Sequence, residues 1–513
     1  MTVVNALSGS DLRLADVWQV AVEGAPAPPL ADAARTKMRA ARDLVERAAH
    51  GTSEHTYGVN TGFGRFVSRV IPEELTEELQ LRLLRSHACG VGAPYPDEVV
   101  RAAMLLRANA LAKGNSGARI ETVELLLECI NRGVLPFVPA RGSVGASGDL
   151  APLAHLALPL VGEGRATVDG ELLDGGDALA RVGLEPVRLL AKEGLSLING
   201  TQFMAAQGSL CLVRAQRLAR VADCACALSL EALQGSRTSF WPEVHELRPL
   251  RGQAASARNV LRLLDGSAIN ESHRWCDKVQ DAYSLRCAPQ VHGASRDLLD
   301  YVDYTVGTEL NSATDNPLVL VEREQLVSAG NFHGQALAFA LDALAMAVAE
   351  LANISERRVE RLVNPNLSDG LPAFLTTDGG LNSGFMIPQY VAASLVSENK
   401  VLCHPASVDS IPTSAGQEDH VSMGNAAGLK AWQVVANSER ALAIELLAAT
   451  QAVEFLAPLQ PGRGALAVHE AVRTLSPRLR DDRPLHDDIE RVADAIRDGS
   501  ILAAVEAEVG ELE

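Results

Sequence analysis

A mainly α-helical fold is predicted for this 513-residue chain, and three features predict it. Alanine and leucine dominate an apolar content of 47%, while aromatics make up only 4%, a composition suited to helices packed on helices. Three long runs are apolar nearly all round, so neighbours must bury them in a central bundle. Strand signals are confined to two short hairpins.

The elements follow in chain order. Residues 31–49 carry apolar side chains at helical spacing and read as one amphipathic helix. Residues 96–112 read as another, opened by Pro96 and closed by Gly114 and Gly117. The stretch "RATVDGELLDG" places a Val-Asp-Gly turn inside a small hairpin. Residues 208–235 form the first all-round apolar helix, and residues 335–353 and 428–455 form the other two. Between them, "PLVLVEREQLVSAG" reads as the second hairpin. The polar, charged tail after Pro461 is expected to pack as peripheral helices. Loops rich in Gly, Pro, Asn and Ser fall near 58–64, 139–149, 363–384 and 404–425. Long structured loops of this kind are where function tends to sit.

Composition excludes several classes. A net charge of −18 argues against a nucleic-acid partner, which calls for clustered Lys and Arg. The eight cysteines form no CxxC pair and sit mostly in apolar surroundings, so free thiols in a reducing, cytoplasmic compartment are expected. Twelve histidines include no HExxH and no Cys/His quartet, so no metal site is indicated. The N-terminus lacks a basic segment followed by an apolar core, and no signal peptide is expected. Asp342 and Glu350 interrupt the longest apolar run, which fits a buried helix better than a membrane span.

One stretch departs from ordinary structure. In "RGSVGASGDLAPLAHLALPLVGEG", residues 141–164, Gly142, Gly145 and Gly148 enclose Ser143 and Ser147 ahead of an apolar segment. A dinucleotide fingerprint is excluded, because the preceding "VLPFVPA" holds two prolines where a buried strand is needed. The residues are out of order for a GxSxG nucleophile elbow, and no Walker lysine follows. By itself Ala-Ser-Gly would be a turn whose Asp149 starts a helix. The pliable backbone permits something else. The Gly148 nitrogen could attack the Ala146 carbonyl carbon and close a five-membered ring. Loss of one water from the ring and another from the Ser147 side chain would leave an exocyclic methylene, an electrophile made only of protein.

The surrounding motifs decide between the two. "GSVGASGDLAPLAHLAL" resembles the signature of the aromatic amino-acid ammonia-lyase family, whose Ala-Ser-Gly cyclises to 4-methylidene-imidazol-5-one (MIO). The likeness runs from about Leu12 to Phe455. It takes in "YGVNTGFG", "RSHACGVG", "KEGLSLINGTQ" and "VQDAYSLRCAPQVHGA", then "NSATDNPLV", "GNFHG", "SERR" and "HPASVDSIPTSAGQEDHVSMG". The resemblance implies a fumarase/aspartase-like architecture. Residues 1–195 would carry the MIO turn and the tyrosine loop, 196–455 the long-helix bundle, and 456–513 a peripheral helical segment. It also implies a homotetramer with active sites shared between subunits, an amino-acid substrate, no membrane partner and no external cofactor.

The family reaction removes ammonia and a β-hydrogen from an amino acid. The amine is a poor leaving group, which a protein electrophile formed from Ala146, Ser147 and Gly148 addresses. The β-hydrogen is weakly acidic, which a positioned base addresses. Tyr57 matches the family's base; a phenol titrates near pH ~10, so a cationic neighbour or a helix N-terminus would have to lower it. Arg286 matches the arginine that grips the substrate carboxylate with two parallel hydrogen bonds. Gln280, Tyr283 and Arg286 step by three and would share one face if the segment is helical, with Pro289 ending it. Gln280 and Tyr283 resemble the residues lining the MIO and the amine. Asn199 resembles the amide beside the MIO oxygen, and Phe332 the ring packed against the MIO.

Two positions bear on the substrate. His87 occupies a place where phenylalanine-selective members usually carry an apolar residue. Glu418 stands where phenylalanine and tyrosine lyases usually carry Gln; a carboxylate accepts an imidazole N–H but would sit desolvated against a phenyl ring. Histidine is therefore expected as substrate, with trans-urocanate as product. A tyrosine lyase or an MIO-dependent aminomutase is the alternative, and a non-catalytic helical assembly a remoter one, since the chain lacks the fumarase-type "GSSxMPxKxN" loop. Ala415-Gly416 and the residues after Gly64 depart from the common family pattern near the pocket.

Overall fold

A computed structural model describes residues 3–50, 56–62 and 64–513; Phe63 of the tyrosine motif lies outside them. The chain divides into two compact units. The first gathers Met1–Val213, Asp303–Asp342 and Pro405–Leu429; the second gathers Arg214–Val302, Ala343–His404 and Lys430–Glu513. Each thus collects three separate stretches, where the sequence reading divides the chain into consecutive segments.

In the first unit, helix Asp97–Ala112 starts after Pro96, which sits at the N-cap, and Asp97 and Glu98 in its first turn complement the helix dipole. It is buried almost throughout, including Arg107 and Asn109. Helix Asp32–His50 lies where the periodicity places it, and Ala41, Leu44 and Val45 join Val59 and Val319 in one apolar cluster. The first hairpin forms from Arg165–Val168 and Glu171–Asp174, antiparallel. Its Asp169 and Gly170 both have positive φ, 49° and 80°, as a two-residue turn of this hand requires. The prolines of "VLPFVPA" end up on sheet margins: Leu135–Pro136 adds an outer strand to the hairpin, and Pro139–Arg141 pairs with Val91–Pro94. The second hairpin pairs Leu318–Leu320 with Gln325–Val327.

Four long helices are divided between the units: Gln202–Ala232, Ala288–Glu309, Gln335–Val363 and Gly424–Val453. Within the second unit their few charged side chains meet one another. Arg214 grips Glu439 with two bonds of 2.8 and 2.7 Å, and Arg358 grips Glu445 likewise at 2.5 and 2.9 Å. Helix Gln335–Val363 is long and apolar enough to cross a membrane by composition alone, but 72% of its most apolar window is buried in protein. It outruns the expected 335–353 because Ser355–Val363 continue it with polar residues. The tail forms helices Arg463–Leu475, His486–Asp498 and Ser500–Val509.

One expectation is corrected. Residues 280–286 do not share a helix face: only Tyr283–Arg286 is helical, for a single turn, and Gln280 precedes it in a loop. Pro289 stands near the start of the next helix, where a missing N–H costs nothing, rather than simply ending the previous one.

Candidate active site

The turn at 142–149 exists because only glycine fits it. Gly145 and Gly148 have φ of +67° and +75°. A Cβ on Gly148 would fall 2.1 Å from the Gly200 carbonyl oxygen, and one on Gly145 would fall 2.2 Å from Ser422 Oγ. Two backbone bonds and one side-chain bond pin the turn: Asp149 N donates to Gly200 O at 2.7 Å, Met423 N to Val144 O at 2.9 Å, and Ser422 Oγ to Gly145 O at 2.9 Å. Helix Leu150–Ala157 leaves directly from it.

Asp149 does more than start that helix. Its fully buried carboxylate accepts from Ser143 Oγ at 3.0 Å and from Met204 N at 2.9 Å, the latter in the first turn of helix Gln202–Ala232. Burial pushes it up to about 6, with Glu309 adding to the rise and the Met204, Ser143 and Phe203 hydrogen bonds opposing it.

Beside the turn lies a cavity of about 420 Å³, within the range of small-molecule sites. Tyr57, His87, Ser147, Asn199, Asn316 and Glu418 line it. Ser147 Oγ donates to Glu418 Oε1 at 2.8 Å, and Thr413 Oγ1 donates to Glu418 Oε2 at 2.6 Å. His87 Nδ1 lies 2.9 Å from both the Leu83 carbonyl oxygen and Ser86 Oγ. Burial pushes His87 down, against the Leu83 bond and the Glu418 charge, which favours the neutral ring. Tyr57 departs from expectation. Burial pushes its phenol above the ordinary value, Glu418 and Asp315 push it further, and the Gly64 backbone bond offsets only part.

Asn199 ends the short helix Glu193–Ile198. Its Nδ2 donates to Asn316 O at 3.1 Å, while its buried Oδ1 has no partner. Fully buried Arg107 fixes this corner, donating to Asn199 O at 3.0 Å, Ser196 O at 2.5 Å and Gln202 Oε1 at 2.7 Å. Below it, Lys192 pairs with Asp315 at 2.6 Å. Phe332 is half-buried on the loop whose Gly334 N donates to Gly145 O at 3.3 Å, but it is not among the cavity's lining residues.

The remaining three candidates belong to the second unit. Arg286 Nη2 donates to Gln280 Oε1 at 3.1 Å, and its guanidinium lies 4.5 Å from the Tyr283 ring centre. Gln280 and Arg286 line a cavity of about 520 Å³ there, with Arg237 and Lys278, while Tyr283 is 71% exposed.

The sequence reading missed Arg107, Asp315, Asn316 and Thr413. A lone arginine inside the apolar run "MLLRANALA" was the one local signal for Arg107; the others stand inside quoted motifs without a cue to their partners.

The glycines of the turn thus set Ser147 in one cavity with a phenol, an imidazole and a carboxylate. Residues 12–474 match the model of the family described as Aromatic amino acid lyase, and the chain belongs to that family, whose members cleave carbon–nitrogen bonds. It is 57% identical to the histidine ammonia-lyase of Gloeobacter violaceus over 99% of this chain and 98% of that one. The histidine ammonia-lyase of Myxococcus xanthus is 54% identical over 97% and 98%. Among solved structures, histidine ammonia-lyase from Trypanosoma cruzi is 46% identical with a TM-score of 0.91, covering 99% of this chain and 96% of that one. Tyrosine aminomutase from Streptomyces globisporus is 39% identical with a TM-score of 0.94, covering 100% of both.

Proposed function

We propose that this chain eliminates ammonia from L-histidine to give trans-urocanate. The observation that carries the reading is Glu418, a carboxylate held by Thr413 and aimed at the turn, in the same cavity as a neutral His87. The carboxylate accepts an N–H from an imidazole, the His87 ring can share a hydrogen bond with a polar ring, and neither suits a phenyl ring. The likeness to histidine ammonia-lyases at 57 and 54% identity supports the same substrate.

The residues at 146–148 fit an MIO group. The conformations of Gly145 and Gly148 demand glycine, Ala146 is small and buried, and Asn199, whose buried Oδ1 has no partner, lines the same cavity as Ser147. Once formed, MIO supplies an electrophile for the substrate amine. Asn199 is the amide beside that group, serving its oxygen and the substrate carboxylate. Tyr57 takes the β-hydrogen as a proton once its phenol is ionised, which its surroundings delay to alkaline pH. The family resemblance assigns the carboxylate to Arg286, with Gln280 and Tyr283 beside it, supplied by another copy of the chain, and Phe332 packs near the turn.

The working form is a homotetramer with active sites shared between subunits, in the cytoplasm. Apolar side chains such as Leu247, Trp275 and Val279 are 89, 88 and 94% exposed, and all eight cysteines are free. Incubation with L-histidine should raise urocanate absorbance. Turnover of tyrosine alone, or a β-amino acid product, would overturn the assignment.

A further inference from the structure

We infer that Thr413 is a positioning residue for substrate selectivity, holding Glu418 so that one defined carboxylate oxygen faces the substrate ring; this rests on the histidine reading above. The two residues are paired along the backbone: Thr413 N donates to Glu418 O at 2.9 Å and Glu418 N to Thr413 O at 3.3 Å. The turn between them is unusual. Ser414 and Ala415 both have left-handed backbones, φ 51° and 53°, and Gly416 follows at 84°. Each non-glycine residue in that region costs roughly 1 kcal/mol or more, so the surroundings must over-determine the turn. Here they do: Gly416 N closes it onto Thr413 O at 3.0 Å, and the turn sets the Thr413 hydroxyl 2.6 Å from Glu418 Oε2.

The two carboxylate oxygens thereby differ. Oε2 is engaged from behind by Thr413, which is not among the residues lining the cavity. Oε1 points to Ser147, whose hydroxyl donates to it at 2.8 Å. That hydroxyl is the group that leaves as water when the turn cyclises, its Cβ–Oγ bond breaking as Cα=Cβ forms and the Cα proton is lost. Oε1 then has no donor from residue 147 and accepts the imidazole N–H instead, while Oε2 keeps Thr413. A glutamate's terminal torsion is broad and two-fold, so without the Thr413 hydroxyl the carboxylate turns freely and presents neither oxygen reliably.

The test is a double-mutant cycle on the full-length protein with L-histidine, with intact mass recorded for every variant. Thr413→Val, isosteric but without the hydroxyl, should raise KM about tenfold with kcat little changed, the scale of one hydrogen bond to a charged group. Thr413→Ser should restore it, and Thr413→Ala, with less bulk in the turn, should behave as Thr413→Val. In a Glu418→Ala background Thr413→Val should change KM by less than about twofold, because there is nothing left to position. All these variants should weigh two waters less than their encoded chains. An additive effect in that background, an unchanged KM in Thr413→Val, or a Thr413→Val protein at its full encoded mass would each overturn the role. Wild-type protein that leaves L-histidine untouched would sink the histidine reading itself; a wild type that turns it over with an additive cycle sinks only Thr413.

Discussion

Asp149, beside the reactive turn, and Asp223, in the second unit, are both fully buried aspartates, yet their surroundings push them in opposite directions. Burial raises both. At Asp149 the opposing groups are neutral donors, and the carboxyl rises to about 6. At Asp223 burial is again the largest single influence, but Arg296 at 2.5 Å, His292 at 2.8 Å and Ser256 at 2.5 Å together outweigh it, and the carboxyl falls to about 2. Asp223 is thus held as a paired ion. The neighbourhood of the turn holds its groups toward their neutral forms: Tyr57 is pushed up and His87 down. Perturbed groups gathered in one cavity are what a site needs if charge is to arrive with the substrate.

The largest expected effect tests the turn side of this contrast. Ser147→Ala should cut turnover of L-histidine by at least about a thousandfold, as loss of an essential electrophile does, while leaving the size-exclusion profile unchanged. Next comes the bundle. Arg296→Met strands Asp223 without its cation and should lower unfolding free energy by about 3 kcal/mol in denaturant titration. An effect below about 1 kcal/mol would put Asp223 among ordinary hydrogen-bonded carboxyls.

Linkage then separates the two aspartates by pH. Asp223 has a folded value, about 2, below the ordinary 3.8, so its contribution is present above 3.8 and is lost as pH falls toward 2. Asp149 has a folded value, about 6, above 3.8, so its contribution is greatest below 3.8 and is lost as pH rises toward 6. Melting temperatures should accordingly become flatter below pH 3.8 in Asp223→Asn and flatter between 3.8 and 6 in Asp149→Asn. The smallest effect concerns the base. Because Tyr57 is held up, kcat/KM should still be rising above neutral pH, and Glu418→Gln, which removes one of the charges responsible, should move that rise to lower pH. A profile already flat at neutral pH would mean another group takes the proton.

What the sequence made legible was whatever a local rule dictates. The glycines around Ser147 could be read as a pliable turn, and the structure adds the positive φ and close approach that make Gly145 and Gly148 obligatory. Asp169-Gly170 announced its hairpin, and uniform apolar character announced the long helices. Their ends were less legible. Gly208 looked like a start but lies inside helix Gln202–Ala232, where a Cβ would fall 3.2 Å from a Val306 methyl, a tight contact. The spacing of Gln280, Tyr283 and Arg286 imitated a helix face, although Arg286 meets Gln280 across a loop instead. Arg107, Asn316 and Thr413 escaped because what they do depends on partners that only the fold supplies. The upward push on Tyr57 escaped for the same reason: it comes from burial and from Glu418, far along the chain.

The central claim is that Ala146, Ser147 and Gly148 condense into the group that receives the amine, and the intact mass of purified, histidine-active protein tests it most directly. A mass two waters below that of the encoded chain, with Ser147→Ala lacking that loss, is the predicted result. Wild-type protein that converts L-histidine to urocanate at its full encoded mass would contradict it.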